Sequence, residues 1–288
     1  MKTNGSEDDD HTMQCQRREH CKQPQLKTII SDIRSLLFTE SSSFSTADAN
    51  RLSFVKLHQS ISDAKSFIEL KRHLDDLGEA GTFTSADVMD ELINWFNGML
   101  ATIASEQFEL TLGFAHIMSA YSSTLIRKTG YPPEKWQKTF RKSGVDIKKI
   151  GSLIIPIFHS MISTGTINVG HWLLVVVNER TIMFWDSLKL GQKERVLEWS
   201  PHIINWLKAI GLFKNQSTSV VDCPEQVQND CGVFTLNFAL AVAFQAIAAG
   251  ARKSAKIAPA ILLTGKDVVV WRKRLLILWY LRIGFNMS

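Results

Sequence analysis

Gln226-Val227-Gln228-Asn229-Asp230-Cys231-Gly232-Val233-Phe234 is the stretch whose reading decides the fold. A polar loop runs into a single cysteine, and an uncharged run of twenty residues, 232–251, follows it. That is the length of a membrane span. The run nevertheless contains Asn237 and Gln245, is rich in alanine, and opens directly at Cys231-Gly232. We read it as a buried central helix with the cysteine at its N-terminus. At such a position backbone amides and the helix dipole favour a thiolate, and Gly232 lets a second backbone approach closely.

Upstream, Gly170-His171-Trp172 opens a branched apolar run to Val177, and Thr181–Trp185 leads into Asp186-Ser187. Both runs read as strands. A two-residue turn at Asn178-Glu179 pairs Val177 with Arg180 and sets His171 opposite Asp186, within reach across an antiparallel pair. A three-residue loop would shift the register by one. In the first register the aspartate accepts the Nδ1–H of the imidazole and leaves Nε2 to face a nucleophile. A neighbouring His171 would lower the Cys231 pKa further. The chain order is thus His, Asp, Cys, which differs from the papain order of Cys, His, Asn.

The remaining chain supports an α+β organisation. With 288 residues, 45% hydrophobic and 21% charged, it is long enough for a real core. A net charge of +5 is too mild to indicate a nucleic-acid binder. Four scattered cysteines form no disulfide framework and fit a reducing, intracellular setting, nucleus or cytoplasm. The start lacks the apolar core of a signal peptide. Residues 1–45 read as a disordered polar tail, 46–80 as a helical accessory region, and 81–288 as the domain that carries the chemistry. Helical patterns fill 82–128, with Thr84 or Ser85 as cap of a helix that has Asp87 in its first turn. Strands follow at Leu153–Phe158, Trp172–Val177, Thr181–Trp185 and Ser217–Val221. One or two amphipathic helices lie at 193–213, and a basic, apolar helix closes the chain at 267–283. Helices first, then strands, then a long helix predict a small mixed or antiparallel sheet packed by helices. Eight Lys/Arg against two acids between 127 and 149 read as a solvated face. Trp199 and Trp206 read as one packed helix face. Cys15, His20 and Cys21 match no zinc spacing, so neither a metal nor another cofactor is expected.

Four separated motifs in one order carry a resemblance. They are Asp87-Val88-Met89-Asp90-Glu91-Leu92-Ile93-Asn94, Ile154-Ile155-Pro156-Ile157, Gly170-His171-Trp172 with Phe184-Trp185-Asp186-Ser187, and the Cys231 stretch. Across roughly residues 80–285 the chain resembles the ubiquitin-like-protein-specific (SUMO or sentrin) cysteine proteases, relatives of the adenovirus proteinase. The resemblance implies Cys231 as nucleophile, His171 as general base and Asp186 as its orienter. It implies hydrolysis after the C-terminal Gly-Gly of SUMO or another ubiquitin-like protein, through a thioester, with that protein and its conjugates as partners. Trp172 matches the tryptophan over the diglycine tunnel. Asp87 stands where the family has a second tunnel tryptophan, a wall that another residue such as Trp95 can supply. The family glutamine that stabilises the oxyanion lies six residues before the cysteine, where this chain has Glu225. Gln226, five before, is preferred as that donor over Gln228, three before. Two other readings stay open at this level: an acetyltransferase on the same triad, and a silent module that binds a ubiquitin-like protein. The sequence names no oligomeric state.

Overall fold

The computed structural model describes residues 83–108, 114–128, 132–161, 169–226 and 228–252, together with Leu77, Val268, Trp271, Arg272 and Leu275. The polar tail, nearly all of the accessory helical region, the Cys15–Cys21 group and most of the closing helix fall outside the described residues. The elements run α1 (Ala86–Phe108), β1 (Ala115–Ile117), α2 (Ser122–Arg127), α3 (Pro133–Lys142), β2 (Ser152–Met161), β3 (Val169–Asn178), β4 (Thr181–Trp185), α4 (Gln192–Ala209), β5 (Ser217–Val221) and α5 (Cys231–Arg252). The five strands form one mixed sheet in chain order. Its central strands are antiparallel, and each edge strand is parallel to its neighbour. This is the α+β architecture that the order of sequence patterns predicts.

Helix α1 starts where its cap chemistry places it. Ser85 Oγ accepts from the Val88 amide at 3.4 Å, and the Ser85 carbonyl accepts from Met89 at 3.1 Å. The helical reading of 82–128 needs one correction, because the chain forms strand β1 within it. Three residues are too few to display an alternating pattern. What makes them a strand is tertiary: β1 pairs with Ser152–Ile154 of β2, and the Asn97 side chain bonds both backbone groups of Ile117, at 2.6 and 2.9 Å.

The sheet separates two layers. Leu153, Ile155, Ile157, Leu173, Val175, Val177, Ile182 and Phe184 face α3 and α4, where Trp136, Phe140, Trp199, Ile203, Trp206 and Leu207 complete a buried cluster. Trp199 and Trp206 therefore both enter the core, as their spacing predicts. The opposite face packs against α5, and Trp185 meets Phe238 with ring centroids 5.6 Å apart. Helix α5 is buried from Cys231 to Ala243, where it lies between the sheet and α1. Among the described residues no helix is long and apolar enough to cross a membrane.

The β3–β4 hairpin departs from the expected register. Val177 pairs with Ile182 rather than Arg180. The Asn178 side chain explains the difference: its Oδ1 accepts from the amides of Arg180 and Thr181, at 2.9 and 2.8 Å, and from Thr181 Oγ1 at 3.0 Å. The two-residue loop is thus Glu179-Arg180, and Asn178 belongs to the strand. The shift is two residues, and an even shift leaves every side chain on its original face. Asp186 consequently sits diagonal to His171 instead of directly opposite it.

The central strands should dominate stability. Ile155→Ala, at a fully buried position, is expected to lower unfolding free energy by about 2–5 kcal/mol in urea titration. Leu190→Ala, at a residue 84% exposed, should stay within about 0.5 kcal/mol.

Candidate active site

Strand β3 delivers His171 with the same alternation as Leu173 and Val175, and the end of β4 delivers Asp186. Their side chains meet in the interior, His171 Nε2 lying 2.7 Å from Asp186 Oδ1, with each residue only 1% exposed. The nitrogen differs from the expected one. An ionised carboxylate only accepts, so Nε2 carries the hydrogen here and Nδ1 is left as the basic nitrogen. Asp186 Oδ1 also accepts from the Leu188 amide at 2.9 Å. Its Oδ2 is held by Arg195, with Nε and Nη2 each at 2.8 Å. Burial pushes the Asp186 carboxyl up. The hydrogen bond and charge of His171, followed by those of Arg195, outweigh that effect and hold it below the usual carboxylate range.

Cys231 opens α5 and is 2% exposed. Its environment reverses part of the expectation of a thiolate. Burial raises the thiol, the backbone amides of Trp172, Gly232 and Cys231 pull it back only in part, and the Asp230 charge adds to the rise. The charged form of the thiol is thereby disfavoured. The amide of Trp172 links Cys231 to the residue that follows His171. Asp230 itself is a buried ion-pair partner of Arg272, with Nη2 at 2.6 Å and Nε at 3.0 Å from Oδ1.

Trp172 is buried, and its indole donates to the Thr84 carbonyl at 3.0 Å, tying the segment before α1 across the site. A Cβ on Gly232 would lie 2.7 Å from Thr84 Cβ and 3.4 Å from Trp172 Cδ1. The glycine is thus required by the packing of Thr84. Asp87 is exposed and accepts a hydrogen bond from the Tyr121 hydroxyl. Trp95 pairs with Phe96. The aromatic neighbour of Trp172 is Phe158, with centroids 4.9 Å apart, and Phe83 meets Phe158 at 6.0 Å while remaining 39% exposed. Gly170 exists to admit that ring, because a Cβ there would lie 1.8 Å from Phe158 Cζ.

The loop before Cys231 is folded around Gln226. Its backbone amide donates to the Ser187 carbonyl at 2.9 Å, its Oε1 accepts from Ser187 Oγ at 2.7 Å, and its Nε2 donates to the Gln228 carbonyl at 2.7 Å. A primary amide has two N–H donors, and one of them is committed to Gln228. The Gln228 residue is exposed. Cys223 is buried and donates its thiol to the Asp186 carbonyl at 3.2 Å; both it and Cys231 are free thiols.

A buried histidine–aspartate pair, and a cysteine at the start of a buried helix that is bonded to the backbone of the residue after that histidine, together mark a thiol peptidase of the α+β class. The model of the Ulp1 protease family, C-terminal catalytic domain, matches residues 128–283, more than half of the chain. The chain belongs to this family. Among solved structures it is similar to the SUMO protease Ulp1 with its catalytic cysteine oxidised to a sulfonic acid. The two share 14% identity and a TM-score of 0.52, over 77% of this chain and 96% of the other. The same figures hold for the C-terminal Ulp1 protease domain in complex with Smt3, the yeast ortholog of SUMO. At that identity the likeness is one of fold. No curated protein matches the chain.

Arg195, Thr84, Phe158 and Arg272 complete the surroundings without a sequence motif to announce them. Since the Asp186 carboxyl is held low, its contribution to stability is present above the ordinary carboxylate pKa and is lost as pH falls through the folded value. The stability gap between the wild type and Asp186→Asn should therefore be widest at neutral pH and narrow below about pH 4. Urea titrations at several pH values read this directly, and a gap that widens in acid would contradict it.

Proposed function

We propose that this chain hydrolyses the peptide or isopeptide bond after the C-terminal diglycine of SUMO or a related ubiquitin-like protein, with Cys231 as nucleophile, His171 as base, Asp186 as its orienter and Gln226 as an oxyanion donor. The observation that carries the reading is the buried His171–Asp186 pair, with the backbone amide of the next residue, Trp172, bonded to the Cys231 thiol, in a chain of the Ulp1 protease family. The Smt3 complex of a similarly folded protease supports the substrate class.

The geometry supplies a sequence of steps. As the substrate carbonyl reaches Cys231, the thiol proton passes to His171 Nδ1 and the sulfur attacks the carbon. Asp186, bonded at Nε2, stabilises the imidazolium. The Cys231 amide at the start of α5 and the second N–H of Gln226 receive the developing oxyanion; each such donor contributes about a hundred- to a thousandfold in rate. Collapse expels the amine, which takes the proton from His171, and leaves a thioester. Water then gives a proton to His171 and attacks the thioester carbon. The acid is released and the thiol regains its proton. A thiol whose pKa burial raises fits a base that acts during attack rather than a standing ion pair. A reducing compartment, nucleus or cytoplasm, accords with two free buried thiols.

A panel of ubiquitin-like proteins carrying C-terminal electrophiles tests the proposal. At least one member, expected to be a SUMO, should form a covalent adduct with the wild type and none with Cys231→Ser. Reversible binding without any adduct, or acylation of Cys231 by acetyl-CoA in its place, would overturn it.

A further inference from the structure

We propose that Arg195 is a positioning residue for the reaction: its guanidinium selects which oxygen of Asp186 faces His171, and its charge sets the pH range in which the site works. The inference rests on the reading of His171, Asp186 and Cys231 as the working groups. A carboxylate has two equivalent oxygens and turns readily about its last bond. Here that freedom is removed. Nε and Nη2 of Arg195 both lie 2.8 Å from Oδ2, which leaves Oδ1 to His171 and the Leu188 amide.

The guanidinium is itself locked. Nη1 donates to the Leu190 carbonyl at 2.9 Å, and Nη2 donates to the Leu188 carbonyl. The loop between β4 and α4 therefore wraps around the cation. Gly191, at φ 70°, makes the turn, where a Cβ would stand 3.1 Å from Nη1. With 5% exposure, Arg195 holds its charge in the interior beside the pair. Lysine keeps the charge but cannot reproduce the fork that spans a carboxylate oxygen and two carbonyls.

A cation at that distance favours the deprotonated form of every neighbouring group. Other charged groups also face the site. His159 on β2 is the register partner of His171, and its Nδ1 lies 3.3 Å from Trp199 Nε1 and 3.7 Å from Glu198. Glu198 pairs with Arg127 of α2 at 2.8 Å. Asp230, beside Cys231, pairs with Arg272, and the exposed Lys189–Asp222 pair lies further out at 3.0 Å. Of these, His159 is an imidazole whose pKa burial holds below the usual histidine range, with the Arg195 charge adding to the fall against Glu198, so each variant is also made with His159→Gln.

The test measures the rate of Cys231 alkylation by iodoacetamide against pH in the full chain, read by mass spectrometry of the peptide that carries Cys231, alongside the pH profile of turnover. Arg195→Gln should move the alkylation midpoint and the acidic limb of kcat/KM to higher pH by about half a unit or more. Arg195→Lys should leave both where the wild type has them and lower kcat by about tenfold or more through the lost fork. A merely structural arginine would lower thermal stability in both variants while leaving midpoint, limb and kcat unchanged, and that result would overturn the proposal. If Arg195→Gln does not fold, wild-type kcat in Arg195→Lys overturns it alone. Alkylation needs no protein substrate. A shifted midpoint with no labelling by any ubiquitin-like protein would therefore sustain the role of Arg195 and refute the substrate reading.

Discussion

The carboxylate of Asp186 is kept ionised in the interior, and much of the structure around the site is the means of keeping it so. Removing such a charge from water costs several kcal/mol unless its lone pairs are taken up by donors and cations. Here Oδ1 takes His171 and the Leu188 amide, and Oδ2 takes Arg195. Even the Asp186 carbonyl is engaged, by Gln192 Nε2 at 3.2 Å and by the Cys223 thiol at 3.2 Å. The β4–α4 loop, the first turn of α4 and the chain entering the Cys231 loop are thus oriented by one residue. The ring of His171 is oriented with them.

The thiol stands in a contrasting environment. Cys231 is buried, its charge is disfavoured, and Asp230 next to it in the chain is paired with Arg272. A site that activates its nucleophile only when a substrate brings an electrophile into a tight space is protected from side reactions. The aromatic surroundings of Trp172 come from Phe158 and Phe83.

Much of this was legible in the sequence because local chemistry and tertiary need coincide there. The apolar run after Cys231 is a buried helix since both of its sides are covered, and its Asn237 and Gln245 mark it as a core helix. The strands read at 153–158 and 172–177 follow from branched apolar residues, and in the structure they extend to 152–161 and 169–178. Strand β1 did not, because three residues carry no period and its partners lie 37 residues on, at Ala115↔Ser152. The hairpin register was missed by two residues because the Asn178 side chain, acting through three hydrogen bonds, decides the turn. That error was harmless to the site only because it was even. Arg195 and Thr84 were illegible for a different reason. A lone arginine in an amphipathic helix pattern reads as surface, and nothing local says that its charge is turned inward.

The orientation of His171 is where the account is most exposed to a single observation. Two-bond proton–nitrogen NMR of the full chain with labelled histidine rings, recorded where the ring is neutral, reports which nitrogen carries the hydrogen. The structure predicts that His171 is protonated at Nε2, toward Asp186, with Nδ1 bare. It also predicts that this preference is lost in Asp186→Asn. A wild-type ring protonated at Nδ1 would contradict the account, since the basic nitrogen would then face the carboxylate and no group would remain to take the proton of Cys231.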